Sequence, residues 1–419
     1  MALKHSELIY DWNSVPGAEF LPSTAKVLLN DETLRDGLQS PSIKDPHIED
    51  KIQILHFMED LQISMADIGL PGAGPRAVAD VERLAREIAD ARLKIKPNCA
   101  ARTHENDIRP VAEISQRVGI PIAVACFLGS SPIRRYTENW TDDFLLHTTE
   151  KAVSFSRSLG LEVMYVTEDT SRCDPATVKR LYSTAINYGA TAIVICDTVG
   201  HSTPSGVGAL IRFVIDEVVK PSGQQVRIDW HGHSDRGLSV ANSLAALAAG
   251  AHCVHGTALG IGERVGNTQM DQMLVNLKLM GISPWAGSDL SKLKDYCLKV
   301  SMATGVPIPR NYPVLGEDAF RTATGVHAAA VIKAYRKGDI ELANSVYSGV
   351  PSHYFGLEQT IDVGPMSGKS NVIYWLEKRG MEPSESVVDR IFQQAKQSDR
   401  CLTEEEILSC CRNVSAGNM

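Results

Sequence analysis

Beginning at residue 27, short apolar runs rich in Val, Ile, Leu and Ala recur along the chain, each followed by a longer stretch whose apolar residues return every three or four positions. The short runs, at 27–34, 65–70, 95–100, 122–127, 162–167, 192–197, 226–230 and 253–259, read as strands. Short β-branched apolar runs alternating with longer amphipathic stretches are the signature of βα units around a parallel sheet. The longer stretches, near 48–61, 76–91, 105–118, 142–159, 175–188, 204–219, 238–249 and 268–280, read as amphipathic helices. Eight such units predict an α/β fold built on a closed (β/α)8 TIM barrel in preference to an open, doubly wound sheet.

After about residue 283 the rhythm changes. Ser283-Pro-Trp-Ala-Gly-Ser288 and the prolines at 307, 309 and 313 interrupt it, and helical patterns follow near 317–336 and 384–397. Thr403-Glu-Glu-Glu406 has the spacing of a capping box opening a last short helix. The expected organisation is an N-terminal extension over 1–26, a barrel over 27–283, and a smaller, mainly helical C-terminal region over 284–419.

Composition narrows the function classes. A net charge of −8, with Arg134-Arg135 as the densest basic spot, argues against a nucleic-acid partner. No apolar stretch approaches the roughly 18 residues of a membrane span, and the start Met-Ala-Leu-Lys-His-Ser-Glu lacks a signal peptide's apolar centre. Nine scattered cysteines, an odd number without metal-finger spacing, fit reduced thiols in a cytoplasmic protein.

The candidate chemistry sits where strands end. In Ile228-Asp-Trp-His-Gly-His-Ser-Asp235, His231 and His233 are two apart and so share one face of a strand. Catalytic groups of such barrels gather at the C-terminal strand ends, which places Asp36 after the first strand and Asn267 after the eighth in the same layer. Two imidazoles, a carboxylate and an amide oxygen would hold a divalent metal with positions to spare, and Mg, Mn, Co and Zn all suit that set.

The strings DETLRDGLQSP, VTEDTSRCD, ICDTVGHSTP, HGHSDRGLSVANSLAALAAGA and LGIGERVGNT occur in order, and with them residues 27–375 resemble the 2-isopropylmalate, homocitrate and citramalate synthases. These are metal-dependent acyltransferases of the superfamily that also contains hydroxymethylglutaryl-CoA lyase. The resemblance implies a Claisen condensation of acetyl-CoA with a 2-oxo acid, followed by thioester hydrolysis to a 2-substituted malate and CoA. It implies Asp36, His231, His233 and Asn267 as metal ligands, Arg35 at the ketone oxygen, and Glu168 as the catalytic glutamate. His327 and Tyr347 match a histidine and a tyrosine that the family supplies from a partner subunit, so a homodimer is expected, its C-terminal subdomains completing the active site. Thr198 matches the threonine at the 2-oxo acid carboxylate, and Arg102 a further strand-end arginine near the substrate. The regulatory domain that continues leucine-pathway members is not expected here.

Departures from the family concern the pocket. Leu38 stands in DGLQ where DGEQ is usual, and Asp67 where glutamate is usual. Val166 replaces a serine or tyrosine two residues before the catalytic glutamate, and its size argues against pyruvate as sole substrate. Arg134 aligns with a histidine of isopropylmalate synthases and with the homocitrate-synthase arginine that reads a second carboxylate; it could equally face solvent or CoA phosphates. Isopropylmalate-synthase-like chemistry is the main expectation, with homocitrate-type or aromatic, benzylmalate-type synthases as the alternative. A lyase or a non-catalytic binding relative ranks below both. Leu38 favours the lyase, but Gly260–Asn267 holds none of the cysteine that lyases carry there.

Overall fold

Eight parallel strands close on themselves in sequence order in the computed structural model, which describes residues 5–15, 20–22 and 24–412. They are β1 (Leu28–Asp31), β2 (Met65–Asp67), β3 (Lys96–Arg102), β4 (Ala123–Gly129), β5 (Val163–Glu168), β6 (Ala192–Asp197), β7 (Arg227–Gly232) and β8 (Cys253–Gly256). The ring closes through β1 and β8, with Leu28 opposite Cys253 and Asp31 opposite Gly256. The TIM barrel expected from the hydrophobic rhythm is the fold observed.

Two of the strand-to-helix loops near the site end in side-chain caps. Asp174 accepts the Thr177 N–H and Thr203 accepts the Gly206 N–H, and both are followed by proline at the first helical position. These caps start the helices Pro175–Asn187 and Pro204–Val214, leaving only 169–174 and 198–203 between strand and helix. Outward strand residues such as Ile193, Ile195 and Trp230 are completely buried under the helices. The main apolar core therefore lies between the strand and helix layers.

The chain divides into two compact units, Asn13–Pro307 and the described residues of Met1–Trp12 with Ile308–Met419. The first unit runs beyond residue 283 because a helix that the sequence pattern had not separated, Leu293–Thr304, packs on the barrel. It is tied there by Lys299 to Asp50, 2.5 Å, and by the Tyr296 hydroxyl to Asp31. A short helix at Pro132–Glu138 after β4 was likewise not predicted.

In the second unit the helix expected over 317–336 begins only at Gly325, and 321–322 instead pair with 360–361 as a two-stranded parallel ribbon. The capping box is present: Glu406 accepts the Thr403 N–H at 2.8 Å and donates its own N–H to Thr403 Oγ1 at 3.3 Å. Of the expected N-terminal extension, His5–Leu8 is a single helical turn; residues 1–4, 16–19 and 23 lie outside the described residues. No helix among the described residues is long and apolar enough to cross a membrane.

Candidate metal centre

The segment after β1 alternates between two jobs. Asp31 and Thr33 turn away from the cavity: Asp31 accepts the Thr33 N–H at 2.8 Å and the Tyr296 hydroxyl, and Thr33 Oγ1 accepts the Ala258 N–H at 2.9 Å. Burial outweighs these hydrogen bonds and pushes the Asp31 carboxyl up to about 6. With that half of the loop pinned, Glu32, Arg35 and Asp36 face inward and line the barrel-mouth cavity.

β7 supplies the opposing groups. His231 and His233 share a face, and their Nε2 atoms are 3.4 Å apart. Asp36 Oδ2 lies 3.2 Å from His231 Nε2 and 3.5 Å from His233 Nε2, so three ligand-type atoms converge on one point. Adjacent ligands about 2.1 Å from a common ion would sit roughly 3 Å apart, close to this spacing. Burial alone would push Asp36 up, but the Arg35 guanidinium and hydrogen bonds from both imidazoles hold it well below the usual carboxylate range. Burial pushes the His231 imidazole down, against the pull of Asp36, which favours the neutral form a metal ligand requires.

Asn267 arrives by a lap in the chain after β8. Gly260 to Asn267 folds back on itself, so that Asn267 N bonds Gly260 O at 2.9 Å and Ser234 N bonds Gly266 O at 2.9 Å. This brings Asn267 alongside His233. Its amide nitrogen donates to Ile261 O at 3.1 Å, while Oδ1 is buried without a hydrogen-bond partner. A buried amide oxygen without a hydrogen-bond partner, on a residue bridged to His233, is suited to serve as a further oxygen donor to a cation.

The lap depends on Gly266, at φ +89°, where an added Cβ would lie 1.7 Å from Gly260 O. Gly266→Ala is expected to displace Asn267 and lower Mn²⁺ affinity at least about tenfold, as loss of groups supporting a metal site does. Calorimetric titration measures this; unchanged affinity would remove Asn267 from the donor set.

Below the convergence point runs a chain of charges that sequence reasoning missed. Arg227 holds Asp229 through two bonds of 2.7 and 2.8 Å. His255 stands between carboxylates, Nε2 3.3 Å from Asp229 and Nδ1 2.6 Å from Glu32 Oε1. The same Glu32 oxygen is 3.5 Å from His231 Nδ1, and Glu32 Oε2 pairs with Arg35, whose Nε donates to Asp67 at 3.1 Å. Here the carboxyl groups of Glu32, Asp36, Asp67 and Asp229 face two guanidiniums, an excess of buried negative charge that a divalent cation would offset. Asp229 continues the alternate-residue series of His231 and His233, a pattern legible in the sequence. Glu32 and His255 are 223 positions apart and leave no such trace.

The other sequence candidates divide clearly. Glu168, Thr198 and Val166 line the cavity with Asp36, His231, His233 and Arg35; Asn267 is not part of that lining. Burial raises the Glu168 carboxyl above its ordinary range, against the pull of Arg134 and Arg35. Thr198 Oγ1 accepts the Asp169 N–H at 2.8 Å, locking the loops after β5 and β6 together.

Arg102 and Arg134 are not brought into the cavity lining, because each finds a carboxylate elsewhere. Arg102 is paired with Asp107 through bonds of 2.6 and 2.9 Å. Arg134 pairs with Glu138 at 3.2 Å and lies over the Trp140 ring. His327 and Tyr347 belong to the C-terminal unit, where their exposed rings stack with centroids 4.2 Å apart.

Comparison with known proteins adds independent findings. Residues 26–297 match the HMGL-like family model. A homocitrate synthase, AksA, from Methanopyrus kandleri is 31% identical over 395 residues, covering 93% of this chain and 92% of the relative. A protein of Ignicoccus hospitalis described as a "probable 2-isopropylmalate synthase" is 29% identical over 379 residues, covering 90% and 88%. Among solved structures, the HMG-CoA lyase of Bacillus subtilis superposes with a TM-score of 0.57 at 21% identity, over 69% of this chain and 96% of the lyase. At that identity the likeness speaks for the fold alone.

Proposed function

Because this chain belongs to the HMGL-like family, we propose that it is a metal-dependent acyltransferase condensing acetyl-CoA with a 2-oxo acid to give a 2-substituted malate and CoA. The observation that carries the reading is the convergence of Asp36, His231 and His233 in a cavity that Arg35 and Glu168 also line. Asp36, His231, His233 and Asn267 would hold the cation, which when bound supplies Lewis-acid polarisation of the 2-oxo acid's ketone and carboxylate. The ligand set admits Mg, Mn, Co or Zn.

The chain's own groups divide the remaining work. Arg35, fixed by Glu32 and Asp67, offers its guanidinium to the oxyanion developing as the ketone is attacked. Glu168, its basicity raised by burial, takes part in removing a proton from the acetyl methyl group. Thr198 holds the 2-oxo acid carboxylate. The active form in this reading is a cytoplasmic homodimer, consistent with nine free thiols, in which His327 and Tyr347 of one copy serve the barrel of the other and His327 relays the proton to Glu168.

The test follows CoA release with a thiol reagent, using the full chain, acetyl-CoA, Mn²⁺, and aliphatic, aromatic and dicarboxylic 2-oxo acids. Release that needs both metal and at least one 2-oxo acid is the expected result. No acid-dependent release with any of them would overturn the reading.

A further inference from the structure

The interior of the barrel is divided. Asn30, Glu32, Asp67, Asp229, His231 and His255, from β1, β2, β7, β8 and the loop after β1, make one side polar and charged. The other side, from β3 to β6, presents Ala100, Ala125, Phe127, Val166, Val194 and Cys196 to the cavity, with Glu168 at the mouth end of β5 as the one charged group, among the described residues, that those strands bring to it. Beneath it Met164 and Ala192 complete a dry cluster with Ala125, Val194 and Cys196. Alternation along the strands puts these residues on the inward face, at the height of the metal centre or one layer below it.

We propose, building on the condensation reading, that this apolar wall seats the substrate's side chain, and that the substrate is a 2-oxo monocarboxylic acid with an uncharged, apolar side chain. A 2-oxo acid chelated at Asp36, His231 and His233 through its ketone and carboxylate, with Thr198 at the carboxylate above the wall, turns its third substituent down toward the apolar residues of β3 to β6. Small residues on β3 and β4, Ala100 and Ala125, leave room there, within a cavity of about 140 Å³.

A second carboxylate on that substituent would meet no free cation. Among the described residues lining the cavity, Arg35 is the single guanidinium, and Glu32, Asp36 and Asp67 already surround it. Arg134 passes its stem beside Gly129 near Glu168, but its guanidinium is spent on Glu138 and Trp140. Glu32, Glu168 and Glu263 line the same cavity and would repel an additional anion. Burying an unpaired carboxylate against an alkyl wall is strongly unfavourable, whereas each methylene placed there gains affinity.

The test compares kcat/KM for 3-methyl-2-oxobutanoate, 4-methyl-2-oxopentanoate and phenylpyruvate with that for 2-oxoglutarate and 2-oxoadipate, at saturating acetyl-CoA and Mn²⁺. The best apolar acid is expected to exceed the best dicarboxylic acid by at least about a hundredfold. Ala125→Leu is expected to raise KM for the branched acids at least about tenfold, with kcat changing less. Arg134→Ala, on the surface, should leave the ratio between the two classes within about twofold.

A preference for 2-oxoglutarate or 2-oxoadipate that collapses in Arg134→Ala would overturn this inference while sustaining the condensation reading. Absence of acid-dependent CoA release with all five acids would overturn both.

Discussion

His231→Ala is expected to abolish metal-dependent turnover, with a fall of about three orders of magnitude or more in kcat. Losing Lewis-acid polarisation costs several kcal/mol of transition-state stabilisation, and roughly 4 kcal/mol corresponds to a thousandfold in rate. His231 supplies one of three converging atoms, its Nε2 3.2 Å from Asp36, and its other ring nitrogen faces Glu32. Alanine removes the donor and leaves Asp36 with one imidazole fewer to hold its charge.

A structural explanation of the loss can be tested separately. Wild-type melting temperature should rise on adding Mn²⁺, since a ligand that binds only the folded state stabilises it. In His231→Ala that rise should vanish while the metal-free melting temperature stays close to wild type. If the variant melts much lower without metal, the lost activity reflects folding and the ligand assignment fails.

The second large effect concerns Glu168. Glu168→Gln should lower kcat by about 10²–10⁴-fold, the usual worth of a positioned base. The pH profile gives an independent reading. Burial raises this carboxyl above its ordinary range, so it holds its proton to higher pH than an exposed glutamate, ordinarily near 4.3. A base works only when ionised. Activity should therefore fall on acidification through an apparent pKa above the ordinary glutamate value, and this acid limb should disappear in Glu168→Gln. An acid limb that persists unchanged in the variant would assign the titration to another group.

The barrel and the shared face of His231 and His233 were legible because both follow short-range periodicities. Apolar runs spaced by helix-length stretches specify the eight units, and His231 and His233 declare a shared face by being two apart. What stayed hidden depends on partners far along the chain. The helix Leu293–Thr304 joins the barrel unit through Tyr296 meeting Asp31, 265 positions earlier, a pairing no local window contains.

Arg134 shows the converse case. Its alignment suggested a carboxylate reader, but its direction is set by Glu138 one helical turn on and by Trp140. Motif position locates a backbone; local electrostatics chooses where a long side chain points. The division of the barrel interior into charged and apolar sides was also out of reach, since inward residues of different strands become neighbours only once the sheet has closed.

The chain of charges from Arg227 through Asp229 and His255 to Glu32 blurs a division of labour usual in such barrels, where the lower rim secures the fold and the upper rim does the chemistry. Arg227 sits at the first residue of β7, remote from any substrate, yet through two intervening side chains its guanidinium steadies the carboxylate that faces His231 and Arg35. In a saturation scan selected for growth, then, intolerance at this lower-rim arginine would report on the reacting centre, although no ligand ever touches it.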